Sequence, residues 1–451
     1  MKKYLCFAVL LSAILLVGCG NSANNQAAQD AMDFINQVGN ILDQAGDVAT
    51  AIQEAAGQAA TNQSANQAGG NQDSASAGGQ TATPPVTQPP PAAQDDDDED
   101  DEPEVYEPEE VRVPFPRFVT IANGTAQSFG LTDNGDLYAW GLGTFGRLGT
   151  GDYENRYVPT FIMSNIATIV SGQAFGAAIC IDGNLYTWGA NQYNQLGDGT
   201  RTDRNTPLQI MQDVVYVSAG WRHVAAISVD GGLYVWGRNW EGQLGDGTTT
   251  NRDEPTRMMD NVVAVAAGSL HTLAIDADGV LWAWGNNDFG ELGIGNRNNR
   301  HEPVQVLENV IAVSAGYNVS LAITEDDTLW MWGRGNEGQI GNGRSTARVT
   351  SPVRVMDGVK YASVWTTAIA IRDDGSLWTW GLNDTRTVGD GSTTNRNSPV
   401  RVMDNVVQAT SHRGHTFAIN DEGRIFAWGG NNYGQLGDGT TVNQARPVEM
   451  E

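Results

Sequence analysis

From residue 113 onward, short apolar runs alternate with stretches rich in Gly, Asn, Asp and Thr, and the alternation keeps a fixed period. Trp-Gly stands at Trp140, Trp188, Trp236, Trp284, Trp332, Trp380 and Trp428, each forty-eight residues after the last. An aromatic precedes each of them by two positions: Tyr138, Tyr186, Tyr234, Trp282, Trp330, Trp378 and Phe426. Side chains alternate along a strand, so the two rings of each pair share a face and supply the apolar contact between neighbouring repeats. A Gly pair recurs in the same register, from Gly149 and Gly151 to Gly437 and Gly439. Self-similarity at such a period marks a repeat architecture.

Each repeat predicts four short strands. In the fourth repeat these are Val262 to Ala266, Thr272 to Ile275, Val280 to Trp284 after an Asp278-Gly279 hairpin, and a short edge-like strand from Val304 to Leu307. A long loop reaching Pro303 separates the third from the fourth, and Glu308-Asn309 turns the chain into the next repeat. Open solenoids need polar capping repeats, whereas the first and last repeats here are as apolar as the rest. The array is therefore expected to close on itself, as an all-β, seven-bladed β-propeller of four-stranded blades spanning 113–451.

The repeated text AWGxNxxGQLGDGTxxNRxxP resembles the repeat of the regulator of chromosome condensation family. The resemblance covers residues 113–451 and implies a seven-bladed propeller. The family's AGxxH segment is matched at His223, His271 and His415, while Gln127, Phe175 and Val319 occupy the same register. Pro352 comes one residue late and the segment around Val364-Trp365 is one residue short, which predicts altered geometry there.

The residues ahead of the repeats have a different character. Lys2 and Lys3 lead into an apolar stretch too short to span a bilayer, and Leu16-Val17-Gly18-Cys19 resembles a bacterial lipobox. That resemblance implies a signal peptide over 1–18 and a Cys19 that carries lipid, and so a lipid-anchored protein of the bacterial cell envelope, outside the cytoplasmic membrane or in the outer membrane. Residues 20–111 hold no Lys or Arg, and 19–112 reads as a low-complexity tether, disordered or weakly helical over 30–56. Its stretch DDDDEDDEPEVYEPEE, residues 95–110, is a solvated, self-repelling spacer. The whole chain carries a formal net charge of −27, and residues from 112 onward hold 24 bases against 35 acids. Nucleic acid is thereby a poor partner, since no basic stripe is present to meet a phosphate backbone.

Candidate chemistry is weighed against the period. The register histidines are read as buried residues making one hydrogen bond each, and no zinc site is assigned. Arg156, Arg204, Arg252, Arg300, Arg348 and Arg396 recur at the same step and are expected to brace loops through their planar guanidinium groups. The Asp-Gly pairs are turn formers and lack the ligand spacing of a calcium loop. Cys180, in an apolar run, reads as a small buried hydrophobe. No motif of a catalytic centre breaks the repeat, so no catalytic residue, metal or cofactor is predicted.

Binding surfaces give more. In an up-and-down blade the first-to-second and third-to-fourth loops emerge on one face. That face gathers Trp221, Arg222, Trp240, Tyr317, Asn318, Trp365 and Arg413, residue types that anchor interfaces. Phe145, Tyr193, Phe289 and Tyr433 recur in register and are expected to pack into their loops, whereas Trp221, Trp240 and Trp365 stand outside the repeat. The expectation is a non-catalytic, lipid-anchored binding propeller, monomeric, presenting this face to a protein or glycan. Two rivals rest on likeness of fold: an inhibitor or regulator of an extracytoplasmic enzyme such as a β-lactamase or cell-wall transpeptidase, and, more remotely, a guanine-nucleotide exchange factor.

Overall fold

Apolar strands of five to seven residues, joined by tight hairpins that are Asp-Gly in four blades, pair with a more polar outer strand to form antiparallel ladders, and seven such ladders make up the described residues. The structure, a computed structural model, describes residues 116–450. Cys19, the signal segment, the 30–56 stretch and the acidic run lie outside the described residues. The seven blades run Phe118–Met163, Ile166–Met211, Val214–Met259, Val262–Leu307, Val310–Met356, Val359–Met403 and Val406–Glu449. Each is a four-stranded sheet whose strands pair in sequence order, so no blade borrows a strand from the other end of the chain. Left-handed residues such as Asn165, Asp213, Asn261 and Asn309 make the turn from one blade into the next.

The fourth strands begin earlier than the sequence pattern indicates. In the fourth blade the last strand is Arg300–Leu307, so the Arg and Pro303 lie within it. Its pairing shifts between Ala283↔Val304 and Gly285↔Arg300, and as an outer edge it tolerates a proline that cannot donate. The irregularity near Pro352 also resolves. In the fifth blade the fourth strand extends to eleven residues, Thr346–Met356, and in the sixth only Trp365 and Thr366 join the first strand to the second. One inserted and one missing residue cancel, and Trp380 falls back on the period.

The inter-blade contact rests on the tryptophans. All seven are fully buried, and each indole N–H donates to a main-chain oxygen in the long loop of the preceding blade. Trp188 donates to Arg147, Trp236 to Gln195, Trp284 to Gln243, Trp332 to Glu291, Trp380 to Gln339 and Trp428 to Thr387, at 2.7–3.1 Å. Such a bond removes the penalty of a buried N–H while the ring supplies the apolar area. The recurring first Gly of the loop pair explains itself here: at Gly197, with φ +73°, a Cβ would lie 2.7 Å from the Trp236 indole nitrogen.

Ring closure repeats this contact between the ends of the array. Trp140 donates to the Gln435 carbonyl, and Asn123 Nδ2 donates to the His415 carbonyl at 2.8 Å. The first strands face a central channel that encloses about 690 Å³. The loops joining first to second strands ring one mouth of that channel. Trp221 N donates to the Gly268 oxygen, Ser269 N to Gly316, and Tyr317 N to Trp365, linking four successive blades.

Candidate functional site

The loop face owes its rigidity to buried polar side chains beneath it. His223 and His271 approach hydroxyls of the next blade through Nε2, Thr272 Oγ1 at 2.9 Å and Ser320 Oγ at 2.8 Å, and His415 approaches Ser128 Oγ at 2.7 Å. Each hydroxyl in turn donates to the carbonyl that also accepts from the tryptophan, as Thr272 does to Gln243 at 2.7 Å. The hydroxyl's proton being committed, the histidine proton sits on Nε2, and Nδ1 is left without a partner among the described residues. Burial pushes all three imidazoles down to about 3. They are neutral braces between blades.

The long loops are held by their own carboxylates. Asp198 Oδ1 accepts from Thr200 N and from Asn191 Nδ2, and its Oδ2 accepts from Arg204 Nε at 2.9 Å. Arg252 pairs with Asp246, Arg396 with Asp390 and Arg156 with Asp152. Arg348 instead donates to the Asp288 carbonyl at 3.1 Å. Asp198, Asp246 and Asp390 are held below the usual carboxylate range by these donors, despite opposing burial. Cys180 is a free, buried thiol, raised by burial and by the nearby Asp182 carboxylate.

Above this frame, the exposed face carries a continuous ribbon of rings and guanidinium groups. Trp240 packs edge to face against Tyr193 at 5.6 Å, and the Arg238 guanidinium lies 4.4 Å from the Trp240 ring centre. Arg222 sits 4.1 Å from Tyr193 and 5.0 Å from Trp221, and Trp221 meets Tyr317 at 5.8 Å. Arg334 continues the run, 5.7 Å from Tyr317 and 5.6 Å from Phe289. The ribbon crosses blades two to five. Arg238 and Arg334 each have a carboxylate, Glu241 and Glu337, whereas Arg222 has no ion pair among the described residues. Desolvation and the neighbouring Arg222 charge lower the Arg238 guanidinium.

Of the seven expected face residues, Trp221, Arg222, Trp240 and Tyr317 thus come together. Three do not. Trp365 is only 7% exposed and stacks on His412 with ring centres 4.2 Å apart. In the register of the loop ring these two replace the glycines of the other five blades, Gly124, Gly172, Gly220, Gly268 and Gly316, so they fill space that glycine leaves open and turn inward to the channel mouth. Asn318 is buried with φ +61° and accepts from Ser269 Oγ at 3.1 Å, which makes it a turn residue. Arg413 is exposed on blade seven, apart from the ribbon. Conversely, Phe145 and Tyr433 are 42% and 44% exposed rather than packed into their loops.

The match to known proteins follows the same repeat. The family model described as the regulator of chromosome condensation (RCC1) repeat matches residues 134–179, 182–227 and 422–451, and the RCC1-like domain model matches 212–414. The chain carries RCC1 repeats. Short pieces align with curated relatives: 47 residues are 45% identical to the probable E3 ubiquitin-protein ligase HERC4 of Homo sapiens, and 48 residues are 42% identical to the ultraviolet-B receptor UVR8 of Arabidopsis thaliana. Those alignments cover 10% and 11% of this chain and 4% and 11% of the relatives' own lengths. Among solved structures, Prp20p from Saccharomyces cerevisiae shares the fold with a TM-score of 0.64 at 23% identity, covering 70% of this chain and 86% of that one. Human WBSCR16 does so with a TM-score of 0.64 at 21% identity, covering 70% and 94%.

Within these RCC1 repeats Arg238 and Arg334 are two ribbon residues that the repeat pattern alone does not single out. Each directly follows a Trp-Gly pair, where the other repeats have Leu142, Ala190, Asn286, Leu382 and Gly430. Comparing the repeats position by position exposes them as departures, the signal that had marked Trp221 and Trp240.

Proposed function

We propose that this chain is a non-catalytic binding protein that holds a protein or glycan ligand on the aromatic and arginine ribbon of its loop face. One observation carries the reading. Trp240, Arg222, Trp221 and Tyr317 stand outside the repeat, are not demanded by blade packing, and yet meet in one contiguous strip. Aromatic rings and arginine supply most of the energy at known interfaces, because they bring large area and several donors at small conformational cost. Arg222, sandwiched between two rings and with no carboxylate partner among the described residues, is preorganised to receive one from a ligand.

The amino-terminal reading belongs to the same proposal: Cys19 is acylated, and residues 19–112 tether the propeller in a bacterial cell envelope. Mass spectrometry of membrane-extracted protein tests this, and an unmodified Cys19 contradicts it. The face itself is tested by capture from envelope extracts. The double substitution Trp221→Ala/Arg222→Ala is expected to abolish capture without lowering the melting temperature, while Asp278→Ala on the opposite, hairpin face leaves capture intact. Equal capture by the double variant contradicts the reading.

A further inference from the structure

Beside the ribbon's end at Trp240 a groove of about 480 Å³ opens between the long loops of blades two and three. Its floor and walls are fixed. Gly199 N donates to the Asp253 carbonyl at 3.0 Å, Asn194 Nδ2 to the Thr200 carbonyl at 3.0 Å, and Asn251 Oδ1 accepts from Asn239 N at 2.9 Å. The remaining polar lining is uncommitted: the Arg201, Thr249, Thr250 and Asp253 side chains lie exposed along the groove and bond to none of the described residues. They amount to one cation, one anion and two hydroxyls, all within a volume typical of small-ligand sites, about 300–1,000 Å³.

Against this polar wall stands Trp240, 56% exposed. Its place in the repeat is held elsewhere by Thr144, Gln192, Asp288, Asn336, Asp384 and Asn432, so the fold does not call for a ring there. The Arg238 guanidinium and the Tyr193 edge hold the indole in one orientation while it lines the groove. A rigid aromatic plane facing a wall of donors and acceptors of balanced charge matches one ligand chemistry. A pyranose ring has an axial C–H face that packs on an indole and a rim of hydroxyls that each donate and accept. A phosphate or acidic peptide would meet the Asp253 carboxylate as well as Arg201, and an apolar ligand would leave the polar wall unsatisfied.

We infer that the groove lined by Trp240, Arg201, Thr249, Thr250 and Asp253 is a binding site for a neutral hexose or N-acetylhexosamine unit of a glycan. This names the ligand class of the face proposed above and rests on that proposal. The sugar ring stacks on Trp240, its hydroxyls bond to Arg201 and Asp253, and the rest of the glycan runs along the ribbon toward Arg222.

The full chain is applied to an array of neutral hexose and N-acetylhexosamine oligosaccharides, and the strongest binder is then titrated by saturation-transfer NMR. Ring protons of one sugar unit are expected to receive saturation. Trp240→Ala is expected to weaken binding at least about tenfold, Trp240→Phe to keep it within about threefold, and Arg201→Gln and Asp253→Asn each to weaken it about fivefold. An array with no signal overturns the inference, as does Trp240→Ala binding like the parent chain, or displacement of the sugar by inorganic phosphate. If these results come while Trp221→Ala/Arg222→Ala still abolishes envelope capture, the glycan inference falls and the binding face stands. If the double variant has no effect either, both fall.

Discussion

Trp140 Nε1 donates to the main-chain oxygen of Gln435 at 2.9 Å, across 295 residues of sequence, and joins the first blade to the last. Because no strand is exchanged between the ends, closure depends on this indole, on Phe118 and Phe417 packed around it, and on the Asn123 and His415 bonds. Trp140→Ala removes a fully buried ring and its hydrogen bond, and is expected to cost about 3–5 kcal/mol in urea unfolding. Trp236→Ala, at an interior interface with the same bond to Gln195, is expected to cost a similar amount, since both substitutions remove a fully buried indole bonded to a loop carbonyl. A much smaller loss at Trp140 contradicts a ring closed in this way.

Two non-repeating tryptophans should behave oppositely. Trp365 fills the place of a glycine and stacks on a buried His412, so Trp365→Ala is expected to lower stability by about 3 kcal/mol or more. Trp240→Ala, at an exposed ring, should change it by no more than about 0.5 kcal/mol. Thermal and chemical denaturation of the two variants check the contrast.

Acid sensitivity follows from the bracing histidines. His223, His271 and His415 titrate near 3 when folded, below the 6.5 of an unfolded chain. The unfolded state therefore binds the extra protons, and the stability they contribute is full above pH 6.5 and lost as pH falls toward 3. Between pH 7 and 5 the loss is expected to be about 1–2 kcal/mol per histidine. His271→Gln, the residue type that blade one carries as Gln127, should flatten this slope in urea titrations.

Glu291 works in the other direction. It occupies the place of Gln195, Gln243, Gln339 and Gln435, whose Oε1 atoms accept from a main-chain N–H two residues back. Glu291 Oε2 accepts from Phe289 N at 2.8 Å, but Oε1 is buried without a partner among the described residues, and burial raises the carboxyl to about 7 from 4.5. Its contribution is present below pH 4.5 and lost as pH rises through 7. Glu291→Gln is expected to stabilise by on the order of 2 kcal/mol at pH 8 and to make little difference at pH 4.

The period of Trp-Gly and Gly-x-Gly carried the architecture because each blade repeats one physical problem, burying an indole against the next sheet. Positions outside the period pointed to the face, and Trp221 and Trp240 lie there. The same rule misplaced Trp365, since departure from a repeat shows only that a residue is special, and a large ring replacing Gly turns inward when its neighbours leave a void. Asn318 was misread because a left-handed turn uses Asn for its backbone. Recurrence misled at Phe145 and Tyr433, which keep the register of Tyr193 and Phe289 but stay exposed, Phe145 even with the Arg147 guanidinium 5.5 Å from its ring centre. Arg238 and Arg334 were hidden because each joins a ring of its own blade, Trp240 or Tyr317, to one of the preceding blade, Tyr193 or Phe289, a pairing that only the stacked blades bring about. The beginning of the fourth strands was hidden because Pro303 and its counterparts look like strand breakers, and only an edge position accommodates them.

The most direct test of the central claim is an amide hydrogen-exchange footprint of the full chain mixed with an envelope preparation. The ribbon account predicts slowed exchange at Gly220–Arg222, Gly237–Gln243, Gly316–Asn318 and Gly333–Gly338, with the Asp-Gly hairpins unchanged. Protection at the hairpins Asp133–Asp136 and Asp276–Val280, with none on the ribbon loops, would contradict it.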